Sequence, residues 1–190
     1  GPLRLKEAQH SAEILGLACR ENLGMADGFF QNDQSHILPI AQILRKYQPD
    51  IVLSNAPRDR HPDHGRASKL ISDACFYSGL VKVETQLDGK LQEAWRPKAI
   101  YNYIQDRFIE PDFVVDITPF LETKMDAIKA FSSQFYNPNS TEPESPLTMQ
   151  NFFEYVKARM ADMGRYIQAD YAEGYLVERP AGVKSLTDLI

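Results

Sequence analysis

The sequence predicts an α/β fold organised around a doubly wound, mostly parallel sheet, and three observations predict it. The turn signal Gln48-Pro49-Asp50 opens onto the apolar run Ile51-Val52-Leu53, which reads as a strand buried on both faces, as in a parallel sheet. Helical periodicity precedes and follows that strand, and helix, strand, helix is the order of a doubly wound sheet. Between the strand and the following helix stands the densest chemistry of the chain, Arg58-Asp59-Arg60-His61-Pro62-Asp63-His64. Open α/β sheets bind their ligands in such loops, at the carboxyl ends of strands.

The elements follow in order. Residues 3–17 predict a helix, with Leu5, Ala8, Ala12 and Leu15 at helical spacing and Gly16 as its stop. Residues 22–33 form a glycine-bearing loop under which Phe29 and Phe30 are expected to pack. A helix over 35–47 turns Ile37, Ile40, Ala41, Leu44 and Tyr47 inward, with Pro39 tolerable only in the first turn. Pro62 suits the start of the next helix, whose inward residues are Ala67, Leu70, Ile71, Ala74 and Ser78. Residues 80–92 contain Asp88-Gly89, a hairpin-type turn signal. Strands are expected over 99–104 and 113–117, with Thr118 capping and Pro119 beginning the helix that carries Leu121, Met125, Ile128, Phe131 and Phe135. The proline-rich stretch 137–146 reads as a surface loop. A helix over 148–168 turns Phe153, Val156, Met160, Met163 and Ile167 inward, and 174–178 adds a final strand.

A chain of 190 residues can form one domain with a sizeable core. Hydrophobic residues at 43% and charged residues at 25% exclude disorder for the bulk. A net charge of −5 argues against a nucleic-acid partner, which needs a basic face. No run is long and apolar enough to suggest a membrane partner. The two cysteines, Cys19 and Cys75, lack metal or redox spacing, and a cytoplasmic location is expected. Cys75 reads as a small buried residue.

Within the motif, His61 and His64 lie three apart across a helix start, so both rings can face one pocket. Asp63 could orient an imidazole through its carboxylate. Only two other histidines exist, His10 and His36, and both read as surface residues. A catalytic zinc takes three protein ligands and an open water position, so the residues themselves supply half a metal site.

The stretch Asp59-Arg60-His61-Pro62-Asp63-His64-Gly65-Arg66-Ala67 resembles the second signature of the PIG-L or LmbE-like zinc-dependent N-acetylglucosamine deacetylases. Further stretches are similar, in order, to the bacillithiol-biosynthesis branch, the N-acetylglucosaminyl-malate deacetylases. They are Arg4-Leu5-Lys6-Glu7-Ala8, Ile14-Leu15-Gly16, Tyr101-Asn102-Tyr103, Asp116-Ile117, Ser133-Gln134-Phe135, Pro146-Leu147-Thr148 and Tyr171-Ala172-Glu173-Gly174-Tyr175.

The resemblance implies a Rossmann-like, LmbE-type three-layer sandwich with a mostly parallel sheet, forming a single deacetylase domain over 1–190 that lacks its N-terminal segment. The family's first signature, Ala-His-Pro-Asp-Asp, does not occur in this sequence. In the family it brings the remaining ligands and the general base, so the chain is expected to be a fragment of a longer protein. The resemblance assigns zinc to His64, the acid or oxyanion-stabilising role to His61, and the orientation of His61 to Asp63. It makes Arg4, Arg60 and Arg96 the candidate contacts to a substrate carboxylate, with Arg60 also placed to pair with Asp59 or Asp63. The implied partners are a small amino-sugar conjugate and further copies of the chain in a homo-oligomer. The alternative expectation is a non-catalytic binding or scaffolding homologue without a complete metal site.

Overall fold

The computed structural model describes residues 1–135 and 145–189. Its helices and strands are α1 Pro2–Ile14, α2 Gln34–Tyr47, β1 Ile51–Ser54, α3 Pro62–Ser78, β2 Gln86–Leu87, β3 Lys90–Leu91, β4 Ala99–Tyr103, β5 Phe113–Asp116, α4 Leu121–Lys129, α5 Phe152–Gly164 and β6 Ala172–Val177. The chain divides into two units, Leu23–Phe113 with Gly174–Ile190, and Gly1–Asn22 with Val114–Glu173.

The first of these units carries the motif. Asp33 caps α2 by accepting the His36 N–H at 3.2 Å, leaving one fewer unpaired donor at the helix start. Ala41 and Leu44 are buried and join Ala74 and Cys75 of α3 in a core that Ile37, Ile40, Val52, Ile71 and Ile100 complete. Two sequence expectations change. Pro39 stands inside α2 rather than in its first turn, where its missing N–H leaves the Ser35 carbonyl without a helical donor. Tyr47, the last helical residue, is 43% exposed.

Strands β1 and β4 pair in parallel, from Ile51 opposite Ala99 to Ser54 opposite Asn102. β6 runs antiparallel to β4, with Tyr101 opposite Val177 and Tyr103 opposite Tyr175. The parallel pair is as expected, and the C-terminal strand reverses the direction. β1 is not buried on both faces. Side chains alternate across a strand, and here Ser54 is enclosed whereas Ile51 and Leu53 are each 55% exposed. Asp88 and Gly89 both adopt positive φ, 51° and 75°, as a two-residue type I′ hairpin between β2 and β3 requires. Arg45, buried to 4% exposure, donates to Ser78 O, Leu80 O and Thr85 Oγ1 at 2.9–3.0 Å. It thereby ties α2 to the end of α3 and to the segment leading into the hairpin.

In the other unit, α1 buries Glu7, Ala8, Ser11 and Ala12. Leu5 and Leu15, expected inward, are 52% and 49% exposed. The reason is polar docking: Ser11 Oγ donates to Ala127 O of α4 at 2.9 Å, and this fixes the small-residue face against α4. Ile117, Met125 and Met160 form the core with Leu121, Phe153, Val156 and Tyr171, so Leu121 and Met125 of the expected stripe are packing, whereas Phe131 and Phe135 follow the end of α4 at Lys129. Thr118 does not cap α4. It starts a 3₁₀ turn, and its hydroxyl accepts the Tyr171 N–H at 3.1 Å. Ile167 falls in the 3₁₀ turn after α5 and is 45% exposed rather than inward. Of the expected loop 137–146, residues 137–144 lie outside the described residues. Among the described residues, no helix is long and apolar enough to cross a membrane.

Candidate metal and substrate site

The motif leaves β1 at its carboxyl end and turns into α3. Gly65 permits the close approach of loop and helix, because a Cβ there would lie 2.8 Å from Pro57 O. Pro62 takes the first helical position, and His61 is the cap: its Nδ1 accepts the Asp63 N–H at 3.2 Å. A ring nitrogen that accepts carries no proton, so in neutral His61 the proton sits on Nε2. The link from Asp63 to the ring therefore runs through the backbone. The carboxylate, expected to orient His61, accepts the Gly28 N–H at 2.6 Å and forms an ion pair with Arg66. Arg66 also donates to Gly28 O at 3.2 Å and covers the ring of Phe30. These contacts fasten the 28–30 loop to α3, while Phe29, expected to pack under it, is 78% exposed.

His64 has a different support. Its Nδ1 lies 2.5 Å from Oδ2 of Asp59, whose side chain is fully buried. The other carboxylate oxygen, Oδ1, accepts the backbone N–H of Arg107 at 2.8 Å and of Asp106 at 3.3 Å. Burial alone would raise the Asp59 pKa. The bonds from the Arg107 N–H, the His64 ring and the Arg60 and Asp106 amides outweigh it and hold the carboxyl below its ordinary range. The rings of His61 and His64 stand 5.5 Å apart between centroids. Asn102 of β4 donates to Asn55 O at 2.8 Å and Ser68 Oγ at 3.0 Å, which joins the strand, the motif loop and α3.

Arg60 pairs with Asp106 at 3.4 Å rather than with Asp59 or Asp63. The motif thus brings His61, Asp63, His64 and Arg60 together. Arg96 stands elsewhere: β1 and β4 run parallel with Ile51 opposite Ala99, so a residue before Ala99 lies at the amino end of the strands and the motif at the carboxyl end. There Arg96 donates to Phe76 O at 2.9 Å, covers the Phe76 ring, and lines a groove of about 870 Å³ with Ser72, Lys98 and Arg179. Arg4 belongs to the other unit, where Glu7 lies 3.5 Å from its Nε and Gln134 accepts from its Nη1. His10 is exposed, as expected, whereas His36 is half-buried, with Asp33 Oδ1 2.8 Å from its Nδ1.

Asp59 and Asp27 are the residues that sequence reasoning left out. Asp59 lies five positions before His64 across an irregular loop, so no helical spacing announces it. Asp27 gathers with His61 and Asp63, one donor atom from each within 4.8 Å of the others. The donor chemistry suits a divalent metal of the zinc class. The arrangement that carries the fit is His64, with a buried carboxylate on one ring nitrogen and the other nitrogen left to coordinate.

The family model described as GlcNAc-PI de-N-acetylase, PIG-L, matches residues 1–75, a span that contains the whole motif. The chain belongs to the PIG-L, or LmbE-like, deacetylase family. It is 30% identical over 135 residues to the diacetylchitobiose deacetylase of Thermococcus kodakarensis, an alignment covering 70% of this chain and 49% of that protein. The chain thus spans about half the length of that curated relative. Among solved structures, a conserved protein of Thermus thermophilus superposes with a TM-score of 0.83 at 30% identity, over 97% of this chain and 77% of the other. The N,N'-diacetylchitobiose deacetylase of Pyrococcus horikoshii, solved with an inhibitor, gives 0.78 at 28% identity, over 100% and 68%. The mixed α/β fold is that of these LmbE-like proteins.

Proposed function

We propose that the protein hydrolyses the N-acetyl group of an N-acetylglucosamine conjugate, N-acetylglucosaminyl-malate by its sequence likeness, with a bound zinc. The observation that carries this reading is His64: a ring held on a buried carboxylate, beside a second histidine, in a chain whose relatives are named as deacetylases of acetylated amino sugars. His64 would hold the metal through Nε2, together with donors that the resemblance places in an Ala-His-Pro-Asp-Asp signature. A zinc ion supplies Lewis-acid polarisation of the amide carbonyl and acidifies water.

The chain's own residues do the rest. His61, with Nδ1 accepting the Asp63 N–H, presents its Nε2 proton to the oxyanion that forms as water adds to the acetyl carbon. As the carbon–nitrogen bond breaks, the leaving nitrogen takes the proton that the attacking water gave up, giving acetate and the free amine; His61 carries that proton only as the imidazolium, for which Nδ1 must first release the Asp63 N–H. Asp63, engaged by Gly28 and Arg66, holds the cap geometry that aims the ring. Arg60 offers a guanidinium fork to a substrate carboxylate; Arg4 has that role by the sequence likeness alone, and Arg96, at the amino end of the strands, would serve a site completed by another copy of the chain. Cytoplasmic location, homo-oligomeric assembly and the absence of nucleic-acid or membrane partners belong to the same proposal.

The test uses the full-length protein, loaded with zinc or stripped by chelation, offered N-acetylglucosaminyl-malate, diacetylchitobiose and free N-acetylglucosamine, with released acetate measured. Metal-dependent acetate release, fastest from the malate conjugate, is expected. Release from chitobiose or free sugar alone would overturn the malate assignment. No release from any of them, with no zinc bound and the fold intact, would return the protein to the binding homologue.

A further inference from the structure

The polar groups around His64 carry one step more, resting on the reading of His64 as a metal ligand. A ring nitrogen coordinates a metal only through a bare lone pair, and in a neutral imidazole just one of the two nitrogens has one. Which nitrogen that is depends on what the other one bonds. Here the Nδ1 side is taken by Asp59 at 2.5 Å, and that carboxylate already accepts the amide N–H groups of Arg107 and Asp106 at 2.8 and 3.3 Å. A carboxylate that already accepts the backbone N–H groups of two residues acts as an acceptor with no proton of its own to offer. The proton between Asp59 and His64 therefore belongs to Nδ1.

We propose that Asp59 is the positioning residue of the site: its carboxylate fixes His64 in the tautomer with Nε2 bare and oriented for a cation, and joins that ring to the 106–107 loop after β4. The side chain is enclosed entirely, so no water competes for the bond. The loop pairs back on the motif through Asp106 and Arg60 at 3.4 Å. The ring, the loop and the motif arginine are thus set by one group that contacts no substrate itself.

The variant that separates this role from simple support is Asp59→Asn. Its amide oxygen can still accept from the Arg107 and Asp106 N–H groups, and those donors dictate which way the amide turns. The amide N–H₂ then faces His64 Nδ1, which must accept, so the proton moves to Nε2. Two measurements follow on the full-length protein: the tautomer of His64 by long-range nitrogen NMR in the metal-free form, at a pH where the ring is neutral, and zinc affinity by titration against a competing chelator. The expected result is Nδ1–H in the parent, Nε2–H in Asp59→Asn with the fold kept, and zinc binding weakened about 10–100-fold. Nε2–H in the parent protein would overturn the assignment without any variant. An unchanged tautomer and unchanged zinc affinity in Asp59→Asn would overturn it as well. If the parent shows Nδ1–H yet binds no zinc, the deacetylase reading fails while the role of Asp59 toward the ring stands.

Discussion

Each unit encloses a carboxylate that gathers hydrogen bonds, Glu7 in one and Asp59 in the other, and the two differ in what they support. In the unit of α1, Glu7 is 6% exposed and accepts the Ser133 N–H at 2.7 Å and the hydroxyls of Ser133 and Ser132 at 2.6 and 3.1 Å, with Arg4 at 3.5 Å. In the unit of the motif, Asp59 accepts two backbone N–H groups and a histidine ring. For both, burial is the largest single influence and pushes the pKa up, yet the summed hydrogen bonds win and hold it below the ordinary range. The difference lies in the partners. A serine hydroxyl bound to Glu7 passes little onward, so that cluster mainly pins the Ser132-Ser133 turn to α1. An imidazole bound to Asp59 has a second nitrogen, and whatever fixes the first decides what the second can do. A buried carboxylate becomes chemically informative when its partner has another end.

The comparison can be sharpened or broken by measurement, and the largest effect is expected at the ring itself. His64→Ala should abolish stoichiometric zinc in the full-length protein, measured by metal analysis. His61→Ala should keep the zinc and lower kcat by about 10²–10⁴. Loss of metal in both variants would merge two roles that the resemblance separates.

Next comes Glu7→Ala, which takes the acceptor from the Ser133 N–H and from the hydroxyls of two serines that are themselves exposed. Water can replace it there, so the variant should cost about 1–2 kcal/mol by denaturant unfolding and leave zinc affinity unchanged.

A smaller effect is the acid dependence. Both carboxyls have folded-state pKa values depressed below their unfolded ones, so the unfolded chain binds more protons as pH falls. Their contribution is fully present above the usual carboxylate range, about 4. It is lost as pH drops through the depressed values. Stability should fall on that acid flank, and Glu7→Gln should flatten the slope.

The least change is expected where sequence reasoning misplaced apolar residues. Phe29→Ala and Leu5→Ala, at 78% and 52% exposure, should shift stability by no more than about 0.5 kcal/mol.

The elements that positioned the site were legible because their signals are local. Pro62 at a helix start, Asp88-Gly89 in a hairpin and the spacing of Leu70, Ala74 and Ser78 each state a short-range preference, and each is met. What failed to show was set by contacts between distant residues. Leu5 and Leu15 have helical spacing as good as Ala8 and Ala12, yet Ser11 bonding to Ala127 decides which face docks. Ile51 and Leu53 read as core because an apolar run does not say whether its strand is covered on both faces. In the site, the residue types of His61, Asp63 and His64 were plain. Their supports were not, because Asp59 meets residues 106 and 107, almost fifty positions onward, and a spacing of that length has no signature in a single sequence.

Cys75 gives the motif unit a built-in reporter. Enclosed at 2% exposure between α2 and the strands, with burial and then Glu178 pushing its thiol up to about 12, it holds thiolate at neutral pH in only about one part in 10⁵. Cys19 is exposed. A maleimide added in small excess should therefore label Cys19 at once and reach Cys75 only as fast as the helices around it open. The second alkylation rate becomes a clock for breathing of the fold beneath the site, readable by mass alone and slowed by any ligand that closes that unit.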